Sequence, residues 1–207
     1  MGDLHWYTGI KIVHDRAQRT ITISQDLYTR DILERFNMAE VHPTTTLMAT
    51  KLKLEKLDTP MVDIQLYQSM LGSVMYTMTG TRLDLAYAIG YLSRHSGTPR
   101  DEHLSALKRV YRYLIKTKDA SLTFDSKKLD IIYGFTDSDW AGDPVDHKSI
   151  TGIVCILCSA PVSWSSRKQS SVILSSTKAK CIAVTQGTRD ALWYRHLSDL
   201  SYPMHAA

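Results

Sequence analysis

The sequence predicts an α+β chain, verging on α/β, in which a helical region is followed by a sheet that carries one long helix. Three observations point there. Apolar residues recur at helical spacing through 65–118. Short β-branched runs stand at both ends, at 20–23 (Thr-Ile-Thr-Ile) and at 153–157. A closing stretch from Ser176 to about Leu200 again carries small and apolar residues at helical intervals.

Taken in order, residues 4–13 and 20–23 read as two strands joined by the charged turn 14–18. Ser24 is the predicted N-cap of a helix to about Met38, with Asp26 in the first turn, where the helix dipole favours an acid. Leu27, Tyr28, Ile32, Leu33 and Phe36 would form its apolar face. From Val41 to Met61 the periodicity fails. Pro43, three threonines, lysines between Lys51 and Lys56, and Pro60 read as a linker or an extended surface segment.

Three helices are predicted next. In 65–78, Tyr67, Met70, Leu71, Val74, Met75 and Met78 form a core face; 83–93 is the second helix. In the third, 101–118, Leu104, Leu107, Tyr111 and Leu114 point inward. There Lys108, Arg112 and Lys116 fall at i, i+4 and i+8, with Arg109 beside them. A basic stripe of this kind is commonly a solvated face; its functional reading is a ridge that tracks phosphates.

The last third begins with a strand at 121–124. A buried strand then runs from Ile131 to Phe135 and delivers Asp137 and Asp139 to its end. Acids at the tip of a central strand suit a metal-dependent phosphoryl-transfer site, because hard oxygen donors hold Mg²⁺ on a rigid frame. Taken alone, an Asp-x-Asp pair more often opens a solvated loop. A further strand ends at Trp164, Arg167-Lys168 caps the loop after it, and Ser176 or Thr177 N-caps the long helix. Its packing positions are Ala179, Ala183, Ala191, Leu192 and Leu197.

Composition narrows the classes. Hydrophobic residues make up 43%, enough to bury a core, and the net charge of +4 suits a nucleic-acid partner without requiring one. The three cysteines, Cys155, Cys158 and Cys181, are odd in number; Cys155 and Cys158 have CxxC spacing but no second pair, and in their apolar strand-like run they read as buried free thiols in a reducing compartment. His196 and the other histidines lack ligand spacing, so no residue is assigned to a metal. No leader or membrane span is read, and Trp6 stands where a myristoylation signal needs Ser or Thr.

The run GFTDSDWAGD at 134–143, then KSITG at 148–152 and VSWSSRKQSSVILSSTKAK at 162–180, resembles the RNase H domain of copia-type retrotransposon polyproteins. GDLHWYTGIKI near the start resembles the segment past the polymerase active site, and 67–94 with 107–117 resemble the connection region. The resemblance implies three parts: 1–60, the end of the reverse transcriptase palm and thumb plus linker; 61–120, a helical connection region; 121–207, an incomplete RNase H-like mixed sheet with one long helix. The polymerase aspartates would then lie upstream of Met1, so polymerisation is not expected.

By the same resemblance, RNase H chemistry uses four carboxylates around two Mg²⁺ ions. Asp137 matches the first. The second is the latter Glu of a Ser-Ser-Thr-Glu-Ala-Glu motif, where this chain reads Ser175-Ser176-Thr177-Lys178-Ala179-Lys180. The other two would lie beyond Ala207. Lys180 offers no lone pair and sets a positive charge at the ligand position; at ~4 Å and an effective dielectric near ~20, a unit pair interacts by about 4 kcal/mol. The expectation is a nuclease remnant without Mg²⁺, in which Lys180 pairs with Asp137. Weak, non-specific binding of a duplex or RNA–DNA hybrid through Lys108, Arg109, Arg112, Lys116, Arg167 and Lys168 is expected, as is self-association through an uncovered sheet edge. The alternatives are a co-opted nucleic-acid-binding or secreted effector protein, and RNase H activity complemented by other chains. The expected site is intracellular.

Overall fold

The computed structural model describes residues 4–49, 52, 54, 55, 58–128, 132–143 and 145–201. Two compact units divide the chain, Met1–Thr123 and Phe124–Ala207.

The first unit opens with a hairpin instead of one long strand. β1 (Trp6–Tyr7) and β2 (Ile10–Asp15) pair antiparallel across Thr8 and Gly9, both at positive φ. Such a two-residue turn matches the twist of the flanking strands, and it breaks the 4–13 run expected to be continuous. β3 (Thr20–Ser24) pairs with β2, and β4 (Ser121–Asp125) completes the sheet order β1-β2-β3-β4. α1 (Asp26–Arg35) is shorter than expected. Asn37 takes a left-handed conformation, the Met38 amide donates to the Leu33 carbonyl (2.7 Å), and the Asn37 amide donates to that of Glu34 (3.0 Å). That pair of bonds is a Schellman stop, and it buries Met38. The N-cap is Gln25, not Ser24, whose hydroxyl turns to Asp26 (3.1 Å). Leu27 is exposed, off the predicted apolar face.

α2 (Ile64–Gly80) starts at Asp63, whose carboxylate accepts from the Gln65 amide (2.9 Å). A 3₁₀ turn (Leu83–Leu85) leads into α3 (Ala86–Leu92), and α4 spans Asp101–Lys116. Their inward faces meet α1 in one core that includes Ile32, Tyr67, Val74, Leu92, Tyr111 and Leu114. The buried phenols keep partners: Tyr67 donates to the Leu92 carbonyl and Tyr111 to that of Met70, each at 2.9 Å. Met75, expected inward, is exposed.

The stretch after Val41 is not a loose linker. Leu54 is 1% exposed, and Leu47, Met48 and Leu52 pack against the core. Main-chain bonds from the Val62 amide to the Pro99 carbonyl and from Asp101 to Pro60 hold its end. His103, buried on α4, accepts from the Arg100 amide through Nδ1 (2.9 Å), leaving Nε2 to donate to the Leu54 carbonyl (2.9 Å). Aperiodic sequence gave no sign of this, because anchors spaced irregularly leave no repeat. The lysines at 51, 53 and 56 lie outside the described residues.

The second unit is a three-stranded sheet, order β5-β6-β7, with α5 (Ser176–Ser201) across one face. β5 is Tyr133–Asp139, β6 Ile150–Leu157 and β7 Ala160–Lys168. Every pair is antiparallel, not mixed. Cys158 and Ser159, both at positive φ, form the two-residue turn between β6 and β7, and so short a link can only reverse the chain. Trp164 sits mid-strand.

Side-chain parity explains the burial. An added Cβ on Gly187 of α5 would collide with the Thr136 methyl, so the helix approaches the sheet closely there. Thr136, Ile153 and Cys155 therefore face α5, while Tyr133 and Phe135 point away. Phe135 is 62% exposed. The acid-tipped strand is thus neither buried nor central: it is the sheet's edge. Ile131 lies outside the described residues. On α5, Ala179, Ala183 and Gly187 are buried, but Leu192 and Leu197 fall off that side and are exposed. The capping hydroxyl belongs to Ser175, which accepts from the Lys178 amide (3.3 Å), one residue before the expected cap. Of the three free thiols only Cys155 is buried; Cys158 is in the turn and Cys181 is exposed. Burial, aided by the Asp190 charge, pushes the Cys155 thiol up. Among the described residues no helix is long and apolar enough to cross a membrane.

Candidate functional site

Asp137 lies opposite Gly152 near the end of β5, and Lys180 lies on the second turn of α5. The Lys180 Nζ is 3.5 Å from Asp137 Oδ1, with the two side chains 62% and 80% exposed. At that exposure the attraction is worth under about 1 kcal/mol. The expected pair is therefore formed, but in water.

A buried amide sets this geometry. Gln169, just past β7, sends its Nε2 toward Thr151 Oγ1 (2.8 Å) and the Ala179 carbonyl (3.1 Å), with Ser138 Oγ at 3.3 Å. It thereby ties β5 and β6 to the first turn of α5, beside both charged residues. Its main-chain amide donates to the Ser149 carbonyl (2.8 Å), and its Oε1 is buried without a hydrogen-bond partner. Sequence reading passed over Gln169. A single polar residue between two serine-rich stretches carries no periodic signal.

Mg²⁺ wants several hard oxygen donors. Here the one carboxylate matched to that role meets an ammonium. Asp139 turns elsewhere: its carbonyl accepts from the Gly142 amide (3.4 Å), and its carboxylate fills the space a Cβ on Gly142 would need. No three His, Cys, Asp or Glu side chains gather into a metal-holding group among the described residues. The donor set does not fit Mg²⁺.

The remaining candidate cations separate into engaged and exposed ones. Lys168 does not cap a loop by its position alone; it bonds Asp143 (3.0 Å) and Asp146 (3.1 Å) in the β5–β6 connection. Burial opposes the charge on Asp143, but the Val145 and Asp146 amides and Lys168 outweigh it and hold the carboxyl at about 2. Arg167 is exposed at the end of β7. On α4, Arg112 Nε donates to the His42 carbonyl (2.7 Å) and Arg109 donates to Thr46, so both fasten the segment after Val41. Lys108 and Lys116 stay exposed. Among the described residues, the stripe with Arg109 is half staple and half unengaged charge.

Comparisons with known proteins give consistent relatives. The chain is 37% identical over 94% of its length to the retrovirus-related Pol polyprotein from transposon TNT 1-94 of Nicotiana tabacum. It is 38% identical over 92% to that from transposon RE2 of Arabidopsis thaliana. It spans only 15% and 13% of those two proteins. A third relative, the secreted RxLR effector protein 161 of Plasmopara viticola, is 42% identical over 61% of this chain and 89% of its own length. No family model and no solved structure matches.

Proposed function

The chain belongs to the retrovirus-related Pol polyproteins of copia-type transposons, and from that premise we propose that it is a nuclease-silent Pol segment. On this reading 1–60 continue the reverse transcriptase, 61–120 are the connection region and 121–207 carry RNase H-like structure. Its partner is a duplex or RNA–DNA hybrid, bound weakly and without sequence preference. The observation that supports silence is the Lys180 ammonium 3.5 Å from Asp137, where a nuclease of this kind would need a second carboxylate. A positive charge there repels a divalent cation and withdraws the acid that remains. The test is incubation of the purified chain with a labelled RNA–DNA hybrid in Mg²⁺ or Mn²⁺. RNA cleavage should not exceed that of Asp137→Asn; cleavage that this variant abolishes overturns the proposal.

The likeness to the secreted effector of Plasmopara viticola, over most of that protein's length, favours a second reading: a co-opted, non-enzymatic protein. No Arg-x-Leu-Arg stands in this sequence. Immunoblots of the producing cells and of their surrounding medium discriminate. Protein accumulating in the medium of intact cells supports the second reading, and retention inside supports the first.

A further inference from the structure

The second unit holds a groove of about 500 Å³ between β7 and the C-terminal half of α5. Its sheet side carries Ser163, Ser165 and Arg167; its helix side carries Arg189, Asp190 and Trp193. Parity explains why it is open. Ile153 is opposite Ser165 and faces α5, so alternate β7 residues from Ser163 to Arg167 share that face. They are hydroxyls and a guanidinium, which do not draw an apolar helix onto them.

We infer that this groove binds single-stranded nucleic acid, one or two nucleotides at a time. The inference rests on the reading of the chain as a nucleic-acid-handling Pol segment, but not on the silence of Asp137. The volume lies in the range of small-ligand sites. Arg167 and Arg189 flank the groove, and among the described residues neither guanidinium is drawn into an ion pair, as Lys168 is, or held by a hydrogen bond to a distant segment, as Arg109 and Arg112 are. A guanidinium fork matches phosphate geometry. Trp193 is 58% exposed and stands edge-on to Tyr194 at 4.9 Å, leaving an indole face on which a base can stack. Asp190 is the counter-charge in the groove; set against two arginines, it leaves the lining net positive and disfavours a purely electrostatic anion site. Serine hydroxyls donate to phosphate or sugar oxygens without reading sequence. A duplex is a poor occupant, because its bases are already stacked and present no free face.

The test is fluorescence anisotropy of labelled dT12 and rU12 at low salt, with intrinsic tryptophan emission followed in parallel. Binding should quench tryptophan. Trp193→Ala should weaken affinity by about 5- to 150-fold, the range found when a stacking aromatic is removed. Arg167→Gln with Arg189→Gln should reduce the slope of log affinity against log salt by about 1.4, the release expected for two single-strand phosphates. Trp193→Phe, which keeps a stacking face, should restore most of the affinity lost in Trp193→Ala. Affinity that ignores these variants but collapses in Lys108→Glu with Lys116→Glu overturns the groove while leaving the Pol segment reading in place. No binding of either oligonucleotide at low salt also overturns it, whatever the cleavage assay returns.

Discussion

Replacing Lys180 by Glu tests the site most directly, because two opposing effects can be separated by a neighbour. Lys180 Nζ lies 3.5 Å from Asp137 Oδ1. Glu at 180 exchanges an attraction for a repulsion across the same gap. In bulk water a unit pair near ~4 Å is worth about 1 kcal/mol, and about 4 kcal/mol at an effective dielectric of ~20. Exposures of 62% and 80% put the pair at the water end. Each part stays under about 1 kcal/mol at that exposure, so the attraction lost and the repulsion gained should sum to about 1–2 kcal/mol at low ionic strength. The helix dipole acts the other way, since an acid near the start of α5 gains about 0.3–1 kcal/mol, an effect that fades after the first turn. Lys178 sits two residues earlier, about 200° around the helix and away from Asp137, and takes the full dipole gain. Lys178→Glu should therefore raise the thermal midpoint and Lys180→Glu lower it. For a unit of this size, 1 kcal/mol is about 4–8 °C. Scanning calorimetry at low salt, repeated at ~0.5 M NaCl, reads both: added salt should shrink the difference, as screening requires, and millimolar Mg²⁺ should recover little of the Lys180→Glu loss. A Lys180→Glu chain as stable as Lys178→Glu at low salt would refute the reasoning, since the two charges then do not meet.

The other predictions concern the surroundings. Arg82, 5% exposed, chelates Asp84 (2.7 and 3.0 Å) and donates to the Thr117 carbonyl and hydroxyl at the end of α4. Arg82→Ala strands these acceptors and should cost the first unit about 3 kcal/mol in a urea titration; a loss under ~1 kcal/mol would mean water replaces the guanidinium. Asp143 titrates at about 2 in the folded chain and near ~3.9 unfolded. Its ionised form thus contributes stability that is complete above about pH 4 and is lost as the pH falls toward about 2. Melts of the parent and Asp143→Asn chains should converge over that window; parallel curves would place the carboxylate outside its Lys168 and amide cradle. For duplex binding, Lys108→Glu with Lys116→Glu should flatten the salt slope by about 1.8. Arg112→Ala should instead lower the thermal midpoint by releasing the His42 carbonyl; an unchanged slope in the lysine variant returns the stripe to a solvated face.

The order of elements was legible from residues alone. Periodicity located α2 and α4 to within two residues at each end, because one face of each packs into a single core and the spacing records it. The lysine at 180 was equally plain, being a matter of chemical identity. The structure decided what local spacing cannot encode. Alternation in β5 says which residues share a face, not whether that face is covered; with three strands and one helix, Tyr133 and Phe135 stay exposed. Arg109, Arg112 and Lys168 look as free in sequence as Lys108. Their charges are engaged because carbonyls, hydroxyls and carboxylates distant along the chain come within reach only after folding. Gln169 shows the same limit: a side chain that joins two strands and a helix is defined by its three partners, and its own residue type gives no hint of them.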